Sequence, residues 1–298
     1  MVRLANLHVA TKWLATTHGE VSYPTWDLEV HGIRGGKSGV SAPMASKILL
    51  TKCFGVRRLE LRDFGRMSVR VLQSPGLSRE LSRSTRVRAL ERSRERGRTL
   101  TIRHCSGLTS LHLLTDFPDK PSTYSSLSLP FKLRSLYLYN SSYRPELIAM
   151  LFHASSETLA TLSLSVLQSS PSYASLVNSF HLIASSLRTL HINHRPSPEF
   201  IRVLRLCATL KHLSCNSTVD IGGVLDSVSC PIDSLAIELD YSLEETLRTL
   251  EGRMGAPSMA GLKKLRVKVL IEGVGTRLEE LGRECSRREI ALEIEARG

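Results

Sequence analysis

At 298 residues the chain can form one large domain or two ordinary ones, and with 42% apolar but only 5% aromatic residues its core must be aliphatic. The net charge of +12 is uneven: residues 66–98 hold ten Arg and three Glu, a balance of +7, so the other 265 residues share +5 and do not constitute a basic domain. Six scattered cysteines without a C-x-x-C pair exclude a disulfide-dense scaffold, and no apolar run approaches the ~18 residues of a membrane span.

The N-terminus lacks the basic-then-apolar layout of a secretory leader, and Leu4-Ala-Asn-Leu7-His-Val9 instead has the form Leu-x-x-Leu-x-Leu. Trp26-Asp-Leu28-Glu-Val30 is a weaker version, and Val56-Arg-Arg-Leu59-Glu-Leu61 a full one, with a helix candidate starting at Pro43 between them. Residues 66–98 then break the rhythm. They are poor in apolar residues and rich in charge, so they bury little by themselves and read as a loop or partly helical insertion. Thr99-Leu100-Thr-Ile102 is a weak strand mark only 11 residues before Leu111, too close for a helix between them.

From Leu111 the series is steady. Leu133-Arg-Ser-Leu136-Tyr-Leu138, Leu159-Ala-Thr-Leu162-Ser-Leu164, Leu187-Arg-Thr-Leu190-His-Ile192, Leu210-Lys-His-Leu213-Ser-Cys215 and Leu262-Lys-Lys-Leu265-Arg-Val267 repeat one form, and Leu235 adds another mark. With Ile290 as the last mark, seven steps span 179 residues, averaging about 26 and ranging from 22 to 30. Between strands the apolar spacing turns helical. Ser170-Pro171 opens a segment with Leu176, Phe180, Ile183 and Leu187 on one face, and Ser197-Pro198-Glu199 opens another with Phe200, Val203, Leu204 and Cys207. Ser is a good N-cap and Pro is tolerated at the first helical position. Ser242 with Glu245 and Thr276 with Glu279 have capping-box spacing, and Pro145 starts one further helix candidate.

In an extended strand, positions four and six of the motif point to one side and positions three, five and seven to the other. The expected fold is therefore α/β: a leucine-rich-repeat solenoid, a curved horseshoe with a parallel inner β-sheet and outer helices, built over residues 1–298 as one domain with 66–98 inserted. A doubly wound sheet would need longer Val/Ile-rich strands and a Gly-rich phosphate loop, and neither occurs. Cys105, Cys207 and Cys215 fall on strand or apolar helix positions and read as buried free thiols.

The stretch Thr99-Leu-Thr-Ile-Arg-His-Cys105-Ser-Gly-Leu-Thr-Ser-Leu111-His-Leu resembles the cysteine-bearing leucine-rich repeats of F-box-type proteins, and the irregular period is similar to that of fungal members. The resemblance extends over the whole chain as repeats. It implies a substrate-receptor role in a cullin–RING ubiquitin ligase, with an adaptor as partner. The N-terminal F-box of that family, with its Leu-Pro opening, has no counterpart here.

Gly32-Ile-Arg-Gly-Gly36-Lys37-Ser38 fails the phosphate-loop spacing because position 31 is His, not Gly. His191, His194 and His212 could ligate a metal, but such sites often include Cys or acids and Cys215 takes a core-facing position, so they read as polar residues of a binding surface; no G-x-S-x-G motif exists. The expectation is a protein without catalytic residues, cofactor or metal, monomeric, cytoplasmic or nuclear, and not membrane-bound. It binds a protein partner through the outward positions of its strands: Arg58, Arg62, His112, Tyr137, Tyr139, Ser163, His191, Asn193, His212, Asn216 and Arg266. The alternative is binding of nucleic acid or an acidic partner through the basic patch Arg79, Arg83, Arg86, Arg88, Arg92, Arg94, Arg96 and Arg98.

Overall fold

The computed structural model describes residues 2–4, 27–31, 58–62, 108–114, 129, 131–139, 145–166, 168, 171–216, 218–239, 243–269 and 275–296. The chain divides into two compact units, Met1–Ser155 and Ser156–Gly298. Both are α/β, with parallel strands that neighbour one another in sequence order.

The first unit holds β1 (Val2–Leu4), β2 (Asp27–His31), β3 (Arg58–Arg62), β4 (Ser110–Leu114), β5 (Ser135–Tyr139) and helix α1 (Pro145–Ala154). One row crosses all five strands: Val2, Leu28, Leu59, Leu111 and Leu136 pair in turn. The row begins at Val2 and includes Leu28. Leu59 pairs directly with Leu111, and Leu7 and Leu100 lie outside the described residues. In α1, Leu147, Ile148, Leu151 and Phe152 are fully buried, the two-turn stripe that an amphipathic helix presents to a core. The Arg-rich segment, the loop at Gly32–Ser38, Cys53, Cys105 and the helix candidate at Pro43 lie outside the described residues.

The second unit alternates strands and helices: β6 (Thr161–Ser165), α2 (Pro171–Ser179), β7 (Thr189–Ile192), α3 (Pro198–Val203), β8 (His212–Cys215), α4 (Ile221–Ser227), β9 (Ser234–Leu239), α5 (Leu243–Arg253), β10 (Lys264–Val269), α6 (Gly275–Arg287) and β11 (Ala291–Ala296). Short 3-10 turns follow α2 at Phe180–Leu182 and α3 at Leu204–Leu206, and another, Pro257–Met259, precedes β10. The row here is Leu162, Leu190, Leu213, Leu235, Leu265 and Leu292. The last mark is therefore Leu292, two residues beyond Ile290. Burial alternates along the strands, most cleanly in β9, as the period of two demands.

Local sequence sets the helices. Ser197 caps α3, its Oγ accepting from the Phe200 N–H at 3.2 Å, with Pro198 in the first turn. Tyr173 in α2 reaches across so that its hydroxyl accepts the Ser197 N–H at 2.7 Å, and Phe180 and Phe200 meet edge-to-face at 5.1 Å. Helix α4, which no apolar pattern announces, is capped by Asp220 at 3.0 Å from the Gly223 N–H. Its Gly222 lets α5 approach closely: a Cβ there would stand 3.0 Å from Thr249 Cγ2. Helix α6 begins at Gly275, so Thr276 lies inside the helix and is not its cap.

Two features recur at strand starts in the second unit. A single carbonyl accepts two successive N–H groups of the following unit. Ala160 O serves Arg188 and Thr189, Arg188 O serves Lys211 and His212, Lys211 O serves Asp233 and Ser234, and Asp233 O serves Lys263 and Lys264, all at 2.8–3.2 Å. Beside these, the carbonyl of the first motif leucine is taken by a side chain one unit later. Ser186 Oγ donates to Leu159 O at 3.0 Å, Thr209 Oγ1 to Leu187 O at 2.9 Å, and Cys230 Sγ to Leu210 O at 3.3 Å. These bonds satisfy backbone acceptors that the turn from helix to strand would otherwise leave unpaired.

Candidate functional site

The strand positions that do not enter the core carry the candidate residues. In the first unit, Tyr137 lies opposite His112 in register, and the two rings stack at 3.9 Å with 17° between planes. Tyr139 continues the stack, its ring 6.4 Å from Tyr137 and inclined by 10°. His112 is buried by this packing, whereas Tyr137 and Tyr139 are half-buried. The sequence placed these three on one face, and the structure brings them together. Arg58 and Arg62 occupy the two ends of β3, with side chains outside the described set.

In the second unit the outward strand positions change character from strand to strand. Across β6 to β8 they are Thr161, Ser163, Ser165, then Thr189 and His191, then His212 and Ser214, with Asn193 and Asn216 just beyond β7 and β8. None of these is an acid, Lys or Arg. Ser163 is buried at 3% exposure and accepts from Asn193 Nδ2 at 3.5 Å, while Asn216 Nδ2 donates to the Asn193 carbonyl. The Asn216 carboxamide oxygen also takes the Thr218 hydroxyl at 2.8 Å and the Thr218 N–H at 3.2 Å. The two asparagines are thus part of a hydrogen-bonded edge that fixes the loops leaving β7 and β8.

His191 and His212 stand diagonally on neighbouring strands, since Thr189 pairs with His212 and His191 with Ser214. Burial holds the His191 pKa below its ordinary value, and repulsion from His212 adds to the lowering. His194 leaves the face: it packs edge-on against Tyr173 at 5.9 Å, and neither ring nitrogen closes a hydrogen bond of good geometry. Burial lowers its pKa too, partly offset by the Leu164 carbonyl. Among the described residues no group of three or more His, Cys, Asp or Glu is arranged to hold a metal ion.

From β9 to β11 the face is ionic and self-paired. Lys268 Nζ reaches Glu238 at 2.9 Å, Lys264 Nζ reaches Glu293 at 2.7 Å, and Arg266 bonds Glu293 at 3.0 Å and Glu295 at 3.4 Å. The hydrogen bonds from Lys264 and then Arg266 hold the Glu293 carboxyl below the usual range. Arg266 is therefore occupied by intramolecular partners. Sequence reasoning missed this ladder, although the basic row of β10 and the acidic row of β11 are both written in it. The missing step was the register that sets them side by side.

The described cysteines Cys207, Cys215, Cys230 and Cys285 are free and buried. Burial pushes the Cys207 and Cys215 thiols up to about 12, which leaves them protonated and unreactive near neutrality. Arg79, Arg83, Arg86, Arg88, Arg92, Arg94, Arg96 and Arg98 lie outside the described residues. Among the described residues no helix is long and apolar enough to cross a membrane. No family model matches the chain, and no curated protein matches it.

Proposed function

We propose that the chain is a leucine-rich-repeat solenoid that binds a protein partner on the exposed strand face and carries out no chemistry itself. The observation that carries this reading is the division of labour within each strand. From β6 to β10 the register row is leucine throughout and buried, the starts of β7 to β10 repeat one backbone pattern, and the outward positions change from hydroxyl and imidazole groups to charged ones. Stacked Tyr137 and Tyr139 supply the rigid, amphipathic area that favours interface hot spots, and the uncharged β6–β8 patch supplies hydrogen-bonding groups.

The test is cross-linking and affinity purification with the intact chain and with a Tyr137→Ala/His191→Ala variant. A partner of this face is lost from the variant, with affinity falling by at least about tenfold for a hot-spot residue. Partners that are recovered equally by both proteins would overturn the reading. Recovery of a cullin adaptor with the same complex would extend it to the substrate-receptor role that the family resemblance implies.

A further inference from the structure

Strand β11 ends the order of strands, and its apolar row ends differently from those before it. Two residues beyond the register leucine stand Leu164, Ile192, Cys215, Ile237 and Val267 in β6 to β10, none more than 3% exposed. The equivalent residue of β11 is Ile294, which pairs with Val267 and is 48% exposed. Leu292 is half-buried beside α6, its Cδ2 3.7 Å from where a Cβ on Gly282 would stand. The core row therefore runs out from beneath the helices and meets solvent at Ile294.

Among the described residues no strand pairs with the outer side of β11. The Ala291 N–H donates to Lys263 O at 2.9 Å. In a parallel ladder the bonding direction alternates from residue to residue. Ala291 and Glu293 thus address β10, while the N–H and C=O groups of Leu292 and Ile294 point away from it, the template that an added strand uses. On the opposite face Glu293 and Glu295 form an acidic row, 44% and 54% exposed, whose cations Lys264 and Arg266 all come from the β10 side.

A segment that meets all three features needs free backbone groups, apolar residues on the core side and cations on the other. Strand β10, Lys264-Leu-Arg-Val-Lys-Val269, already does this along the inner edge. We propose that the outer edge of β11 accepts an extended segment of a protein partner in which basic and apolar residues alternate, adding a strand to the sheet. A second copy of this chain is the wrong occupant. Pairing β11 with its counterpart would set Glu293 and Glu295 against the same carboxylates, and like charges facing each other destabilise a strand pair.

The test uses the full chain and, as probe, a capped octapeptide with the sequence of residues 263–270, Lys-Lys-Leu-Arg-Val-Lys-Val-Leu. Saturating peptide is expected to slow amide exchange at Leu292 and Ile294 by about tenfold or more. The same peptide with Glu for each basic residue is expected to slow neither. Ile294→Lys, at a position already half exposed and so tolerated by the fold, should weaken binding by about tenfold, and Glu293→Gln with Glu295→Gln should erase the preference for the basic probe. The proposal fails if the basic probe gives no slowing, if the acidic probe slows the amides equally, or if slowing grows with protein concentration in the absence of peptide.

Discussion

His191 shows how one residue can be both exposed in function and constrained in chemistry. It sits among hydroxyls, with no carboxylate on β6 to β8 to stabilise its cation. Its native pKa is therefore below the unfolded value of about 6.5. The unfolded chain takes up the proton first as pH falls, so the stability from this group is intact above about 6.5 and declines through the window down to the lowered native pKa. By NMR titration His191 should turn below 6.5, and His212→Ala should move the midpoint upward only in part, because burial is the larger cause. A midpoint at or above the ordinary histidine value would contradict the packing described for this face.

Within the second unit, side-chain bonds to backbone carbonyls join successive repeats alongside the leucine row. Ser258 is the most enclosed example: 1% exposed, its Oγ donates to the Leu225 carbonyl at 2.8 Å, far along the chain. Ser258→Ala leaves that carbonyl unpaired and should cost about 1–3 kcal/mol in urea unfolding, whereas an unchanged midpoint would mean that water replaces the hydroxyl. Leu190→Ala, in the register row, should cost about 2–5 kcal/mol through the cavity it leaves. The row itself was legible in the sequence at Leu28 and Leu59 and again from Leu111 to Leu265. Its ends were not, for a physical reason. Ile290/Leu292 and Leu292/Ile294 are both period-two apolar pairs, and a shift by two preserves the face while it moves the register. Val2/Leu4 and Leu7/Val9 are likewise two such pairs, five residues apart, and alternation by itself does not say which of them pairs with Leu28. The Ser186, Thr209 and Cys230 bridges were equally hidden, since three different residue types perform one task there.

At the scale of the molecule, the long connector between β3 and β4 is the largest departure from regular spacing. It holds 47 residues, against 22 between β1 and β2 and 26 between β2 and β3. Since β3 and β4 pair directly, their register does not depend on that length. Deleting residues 76–97 leaves 25, and far-UV circular dichroism and the unfolding midpoint should be retained, because loop-closure entropy varies slowly with length. Loss of the strand signal would show that the segment is part of the fold. The same deletion separates the two binding readings. Weaker retention on a polyanion column with partner capture unchanged assigns nucleic-acid affinity to the arginines alone.

The bonds from Ser186, Thr209 and Cys230 all run backwards, from a later unit to the leucine carbonyl of the one before. On the ribosome this gives assembly a direction. β6, β7 and β8 each emerge behind an acceptor that stays unfilled until the next unit has left the exit tunnel. Completion of any one stage therefore trails synthesis by a unit, and a translational pause after a strand would prolong its unfinished state, whereas one after the following bridge residue would not.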